Sequence, residues 1–142
     1  MKFMILLRAT KDTEAGVMPT TELLEQMGAY NEALVNAGVM RGGEGLQATA
    51  KGARVRFNGA ERTVEQGPFT DLDRLIAGFW LWECASKDEA IEWVKKCPNP
   101  TGDMAEIEIR QMFSAEDFAE ADPTGELRAN EAALRARVET QG

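Results

Sequence analysis

Gly78-Phe79-Trp80-Leu81-Trp82-Glu83-Cys84 is the stretch whose reading decides the fold. Aromatic and apolar side chains stand at both parities, so a strand built from it turns apolar groups to both faces of a sheet. That pattern predicts a central strand. The chain's own helices cover one face of such a sheet. A bare apolar face of this size is covered by a partner, and two-fold pairing is the commonest way to do so. One stretch therefore predicts both a sheet interior and a homodimer.

Toward the C-terminus, Ser86-Lys87-Asp88-Glu89 has the form of a capping box, with Ser86 as cap and Glu89 reaching back. The helix it opens turns Ala90, Ile91, Val94 and Trp93 inward, and Pro98 stops it. In residues 104–113, Ile107 and Ile109 alternate with Glu106, Glu108 and Arg110, which predicts a strand with one apolar and one polar face. Beyond Phe113 the chain becomes charged and Ala-rich. Residues 114–121 and 125–138, with Pro123 between, fit either two short helices or one broken arm.

Toward the N-terminus, Gln66-Gly67-Pro68-Phe69 must leave the sheet, because proline has no N–H to give a ladder. Asn58-Gly59 is a hairpin turn between a strand over 53–57 and a return strand over 62–65. Residues 46–50 are expected to be extended as well, and Gly42-Gly43-Glu44-Gly45 to be a flexible turn. Pro19-Thr20-Thr21-Glu22 opens a helix capped by Thr20 and ended by Gly38. Its apolar stripe is Leu23, Leu24, Met27, Tyr30, Leu34 and Val35. Residues 11–18 read as a loop, and residues 1–8 as a buried first strand. The order is β-α-β, a hairpin excursion, then β-α-β: a ferredoxin-like split βαβ pattern of the α+β class. Residues 1–113 form that domain and residues 114–142 a helical C-terminal extension.

The chain has 142 residues, a formal net charge of −8 and a pI near 4.7. A phosphate backbone or an anionic membrane surface would be repelled, so neither nucleic acid nor membrane is an expected partner. No run approaches the roughly 20 apolar residues of a membrane span. The first apolar run is too short for a secretion signal, and no small-residue cleavage site follows it. Two cysteines, Cys84 and Cys97, without a leader point to free thiols in the cytoplasm. Histidine is absent. A Ser-His-Asp or Cys-His nucleophile pair and a His-based zinc site therefore cannot be built within this chain. Proton transfer is left to carboxylates, Tyr30, lysine, cysteine or water. No cofactor and no metal are expected.

Several pieces in order carry a resemblance: Lys2-Phe3-Met4, Gly43-Glu44-Gly45-Leu46, Gly67-Pro68-Phe69 with Asp71, Gly78-Phe79-Trp80-Leu81, Asp88-Glu89-Ala90 with Trp93, and Glu108 with Arg110. Across most of residues 1–113 the chain resembles the YCII-related, or DGPF-domain, family. The resemblance implies a dimeric α/β barrel, in which two sheets face one another around a cavity with clefts near the dimer interface. It implies no settled reaction. Some members of the family stand beside, or are joined to, sigma-factor-like transcription proteins. This chain departs from the family pattern at three places. Gln66 replaces the usual Asp, Asp73-Arg74 stands where a Lys-Glu pair is usual, and Gly102 and Asp103 occupy the region of a His that many relatives carry.

The candidate site residues each have a sharp and a plain reading. Glu44 in its glycine-rich surroundings is either a carboxylate presented to a pocket or a solvated charge. Phe69 is either a cleft floor or a core plug, and Asp71 either a general base or hydrogen-bond acceptor, or a cap on a backbone group. Arg8, on the strand face of Met4 and Leu6, either holds an anion or pairs with Glu108. Glu106, Glu108 and Arg110 share a face and either line a barrel interior or form interfacial pairs. Trp80 and Trp82 share a face and either stack on an aromatic ligand or pack the core or a dimer contact. Cys97, beside Lys95-Lys96 at a helix end, is not read as a nucleophile.

With the clefts near the dimer interface that the resemblance implies, these residues lead to the expectation of a small organic ligand held there. Glu44 and Asp71 are the acid–base candidates, and Arg8, Phe69, Trp80, Glu108 and Arg110 the binding residues. That reading expects a carboxylate of raised pKa in a deep, partly apolar pocket. The alternative is a non-catalytic interaction domain tied to transcription regulation, with the acidic tail as its docking arm.

Overall fold

The structure, a computed structural model, describes residues 1–99 and 104–141. Gly102 and Asp103 lie outside the described residues. The chain divides into two compact units, Met1–Gln111 and Met112–Gly142.

The first unit opens with β1 (Lys2–Arg8). Residues 11–18 are not all loop, since they hold a short helix, α1 (Lys11–Glu14). Thr10 and Thr13 account for it. The backbone N–H of each donates to the hydroxyl of the other, at 2.8 and 3.1 Å, so reciprocal capping closes a turn whose residues carry no apolar period. The next helix, α2 (Thr21–Asn36), begins where the sequence predicts. The Thr20 hydroxyl accepts the Leu23 N–H at 3.1 Å, and Gly38, at φ 74°, supplies the left-handed stop. Of its apolar stripe only Tyr30 and Leu34 are buried, and Leu24 and Val35 are exposed.

Gly42-Gly43-Glu44-Gly45 is not a flexible turn. It belongs to β2 (Met40–Gly45), which pairs antiparallel with β5 (Ile76–Glu83). The reason is a close approach: a Cβ on Gly43 would stand 2.5 Å from Cδ1 of Trp80. The indole lies over the strand, and only glycine leaves room for it. Residues 46–50 are not a strand either, because the chain turns through a 3-10 helix at Thr49–Lys51. The hairpin stands as read, with β3 (Ala53–Asn58) and β4 (Glu61–Gln66) forming a separate two-stranded sheet.

After β5, the Ser86 hydroxyl accepts the Glu89 N–H at 3.1 Å, and the Glu89 carboxylate reaches back to the Ala85 N–H. These bonds open α3 (Lys87–Lys95), which is followed by β6 (Ile107–Gln111).

The main sheet has four strands in the order β2-β5-β1-β6, antiparallel throughout. This is the ferredoxin-like split βαβ, with α2 beside β2 and α3 beside β6. Directly paired residues share a face. Phe3, Ile5, Trp80 and Trp82 face the helices and pack against Tyr30, Leu34 and Ala90. Trp82, Phe3, Ile5 and Leu34 are fully buried, and each such side chain contributes roughly 1.5–3 kcal/mol. The Tyr30 hydroxyl donates to the Trp93 carbonyl and ties α2 to α3. On the opposite face stand Met4 beside Leu81 and Leu6 beside Phe79, all half-buried. That second apolar layer is why both parities of residues 78–84 are apolar.

The second unit contains a 3-10 helix at Ala115–Ala121 and α4 (Glu126–Gln141), so the tail forms two helical pieces. Asp122, 5% exposed, joins them. Its carboxylate accepts the backbone N–H groups of Leu127 and Arg128 at 3.2 and 2.9 Å and Nε of Arg128 at 3.1 Å. The Arg128 N–H, then that of Leu127 and the guanidinium, hold its carboxyl below the usual aspartate value. No helix among the described residues is long and apolar enough to cross a membrane.

Candidate functional site

The first unit carries two clefts and a charged sheet face, and the residues singled out from the sequence divide among them. The first cleft, about 420 Å³, is lined by Leu23, Met27, Asn31, Glu44, Phe79 and Trp80 among others. Its walls come from the first half of α2 and from β2 and β5 at the glycine-rich end of their pairing. The volume lies near the low end of small-molecule sites and the walls are largely apolar, but the cleft is open to solvent, not the deep pocket expected from the sequence. Trp80 is fixed on three sides. Its Nε1–H donates to Oδ1 of Asn31 at 3.1 Å, Tyr30 meets it edge-on at 5.7 Å, and Trp82 stacks on it at 5.7 Å. Asn31 spends its carbonyl on that bond and keeps its amide N–H groups as donors. Glu44 and Phe79 pair directly, which places both on the face without helices.

The second cleft, about 410 Å³, lies between the 3-10 turn at Thr49–Lys51 and the loop after β4. Thr49 holds it together. Its N–H and hydroxyl donate to the Glu14 carboxylate, and its hydroxyl oxygen accepts the Phe69 N–H at 2.9 Å. Gly67 donates its N–H to the Gly52 carbonyl at 2.9 Å and presses so close that a Cβ there would lie 1.7 Å from the Thr49 carbonyl oxygen. Glycine is required at this position by a close approach of two backbones.

Phe69 and Asp71 meet in this second cleft through Arg54. The guanidinium lies over the Phe69 ring, 3.9 Å from its centroid, while Nη2 donates to both oxygens of Asp71 at 3.1 Å. Arg74 adds a contact to Asp71 at 3.3 Å. The Arg54 hydrogen bond, ahead of the charges of Arg54 and Arg74, holds the Asp71 carboxyl below the usual aspartate value. That direction is opposite to the raised pKa expected of an acid–base carboxylate, and its cause is the paired cation.

Arg8, Glu108 and Arg110 belong to neither cleft. They stand on the sheet face without helices, where Glu108 pairs with Leu6 and Arg110 with Met4. Arg8 approaches Glu108 at 3.8 Å and Glu106 at 3.9 Å, and Arg110 contacts Glu108 at 3.3 Å. Both thiols are held protonated: burial pushes Cys97 up to about 11, and raises Cys84 as well.

Asn31, Arg54, Thr49 and Glu14 were not singled out as site residues from the sequence. Asn31 had a readable signal, since it follows Met27 by four positions and so interrupts the apolar stripe of α2. The others had none, because Arg54 and Asp71 are 17 positions apart, and Thr49 and Glu14 are 35 apart.

The sheet order and the helices on one face define a ferredoxin-like α+β domain. The chain belongs to the YCII-related domain family, whose sequence model matches residues 1–113. An uncharacterized protein of Rhizobium meliloti (strain 1021) is 28% identical over 90 residues, covering 63% of this chain and 73% of that protein. Among solved structures, 5-chloro-2-hydroxyhydroquinone dehydrochlorinase from Burkholderia phenoliruptrix, in complex with 2,5-dihydroxybenzoquinone, aligns with a TM-score of 0.43 at 15% identity. That alignment covers 82% of this chain and 98% of the other, a likeness too loose to carry any inference about chemistry.

Proposed function

We propose that this chain is a homodimeric, cytoplasmic small-molecule-binding protein whose ligand is a compact, largely apolar organic molecule seated in the cleft against Trp80. The observation that carries the reading is the cleft's construction. An indole immobilised by Asn31, Tyr30 and Trp82 forms one wall, Leu23 and Met27 form another, and few polar groups are present to orient a guest. A rigid aromatic wall loses little entropy when a ligand lands on it. The spare Asn31 amide gives such a ligand a donor, whereas the Glu44 side chain is exposed on the opposite face of the sheet.

The reading includes pairing of two copies through the half-buried apolar face of Met4, Leu6, Phe79 and Leu81. Such pairing removes apolar surface from water and brings Glu44 and Phe79 of each cleft close to the interface. The loosely paired charges Arg8, Glu108 and Arg110 then rim the contact, where they set register more than affinity. Asp71 stays an anion bound to Arg54, and Glu44 is exposed on the opposite sheet face, so neither carboxylate supports acid–base chemistry at the Trp80 wall. The interaction-domain alternative gains no specific support from either cleft.

The test is a thermal-shift screen of several hundred small metabolites on the wild type and on Leu23→Trp, which fills the cleft. A ligand at 100 times its Kd adds about 2.7 kcal/mol to stability. The reading expects at least one compound that raises the melting temperature of the wild type and leaves the variant unmoved. Silence across the screen, or equal shifts in both proteins, would count against it.

A further inference from the structure

The cleft beside Phe69 carries a charge opposite to that of the whole protein. Three cationic side chains, Lys51, Arg54 and Arg74, line it, in a chain of net charge −8. Of the carboxylates beside the cleft, Asp71 engages Nη2 of Arg54 and Nη1 of Arg74, and Glu14 is held by Thr49. Both Arg54 bonds leave from the same nitrogen, so Nε and Nη1 have no carboxylate partner among the described residues. Stacking on Phe69 holds the guanidinium plane in place and keeps one face of it dry. The remaining walls include Leu46, Leu75 and Ile76, which are apolar. The loops that form the cleft are pinned together by the Glu14–Thr49–Phe69 hydrogen bonds, so the site exists before any guest arrives.

We propose that this cleft binds a small organic carboxylate. The carboxylate takes the open edge of Arg54 together with Arg74 or Lys51, in the planar geometry that a guanidinium fork favours. The hydrocarbon body lies along Phe69, Leu75 and Ile76. Asp71 is the internal counter-ion that holds the cations when the cleft is empty and competes with the guest for them. An inorganic anion would satisfy the charges and leave the apolar walls wet, so it binds more weakly. This cleft shares no lining residue with the cleft at Trp80, and the inference stands whether or not that one is occupied.

The experiment is calorimetric titration of the full chain at constant ionic strength with benzoate, phenylacetate and hexanoate, and separately with inorganic phosphate. At least one organic acid binds the wild type, and more tightly than phosphate. Arg54→Gln lowers that affinity about tenfold or more, the loss of a charge-assisted hydrogen-bonded contact. Arg74→Gln, an exposed substitution that leaves folding aside, lowers it to a smaller extent. Asp71→Asn raises it several-fold by removing the competitor, an outcome that a purely structural role for Asp71 would not give. Any one of four results overturns the proposal: no organic acid binds, phosphate binds equally well, affinity is unchanged in both arginine variants, or Asp71→Asn weakens binding.

Discussion

Gly67 and Asp71 show how much of this protein depends on single positions that the sequence places far from their partners. A Cβ at Gly67 would meet the Thr49 carbonyl oxygen at 1.7 Å, and backbone on both sides would have to move. Gly67→Ala should therefore destabilise the protein toward the upper end of the roughly 1–3 kcal/mol of overpacking changes. Gly45→Ala, with nothing within 4 Å of the new methyl, should have no comparable effect. Urea unfolding of both variants checks the contrast. Asp71 illustrates what a sequence hides at this scale. Its place next to Gly-Pro-Phe marks it as a residue of interest. The cation that lowers its pKa comes from β3, 17 positions earlier, and no local pattern links the two. Asn31 is the counter-example, a polar residue breaking an apolar stripe and therefore readable in advance.

At the scale of elements, caps decided most boundaries. Thr20, Ser86 and Gly38 sit where local chemistry puts them, and the helices they bound were legible for that reason. β2 was hidden because its glycines suggest a turn, whereas their purpose is to pass beneath Trp80. That reason exists only once β5 lies alongside. In the tail, Asp122 takes the place of a conventional cap for α4. Its carboxyl is held low by the backbone N–H of Arg128 first and that of Leu127 next. A lowered folded-state value means that its contribution is complete above the usual aspartate range and is lost as pH falls through the lowered value. The protection of the Leu127 and Arg128 amides, relative to their intrinsic exchange rates at each pH, should fall on acidification below that range. In Asp122→Ala that protection should already be low at neutral pH, with protection in β5 unaltered. Equal protection at those amides in wild type and variant would show that the helix start does not depend on Asp122.

For the whole molecule, the both-parity pattern of residues 78–84 accounts at once for a packed helical face and a second apolar layer. The fold was legible because the period of two and the helix caps agree. The clefts were not, because they form where segments remote in sequence meet. Pairing through the second layer predicts that Leu81→Glu converts a dimer, at twice the 15.6 kDa of the chain, into a monomer in light scattering, with helical content retained. A wild type that is monomeric, or a variant that stays dimeric, would remove that part of the account. The claim at its centre is that a small organic molecule sits against Trp80, and the chain's three tryptophans offer a direct report on it. In a 1H–15N spectrum each gives one indole signal. Titration with a compound whose stabilising effect is lost in Leu23→Trp should move the Trp80 signal most, because its Nε1–H bond to Asn31 forms the cleft wall, and should leave that of Trp93 in place. A compound whose stabilising effect is lost in Leu23→Trp, yet whose binding leaves the Trp80 signal still, would contradict the account.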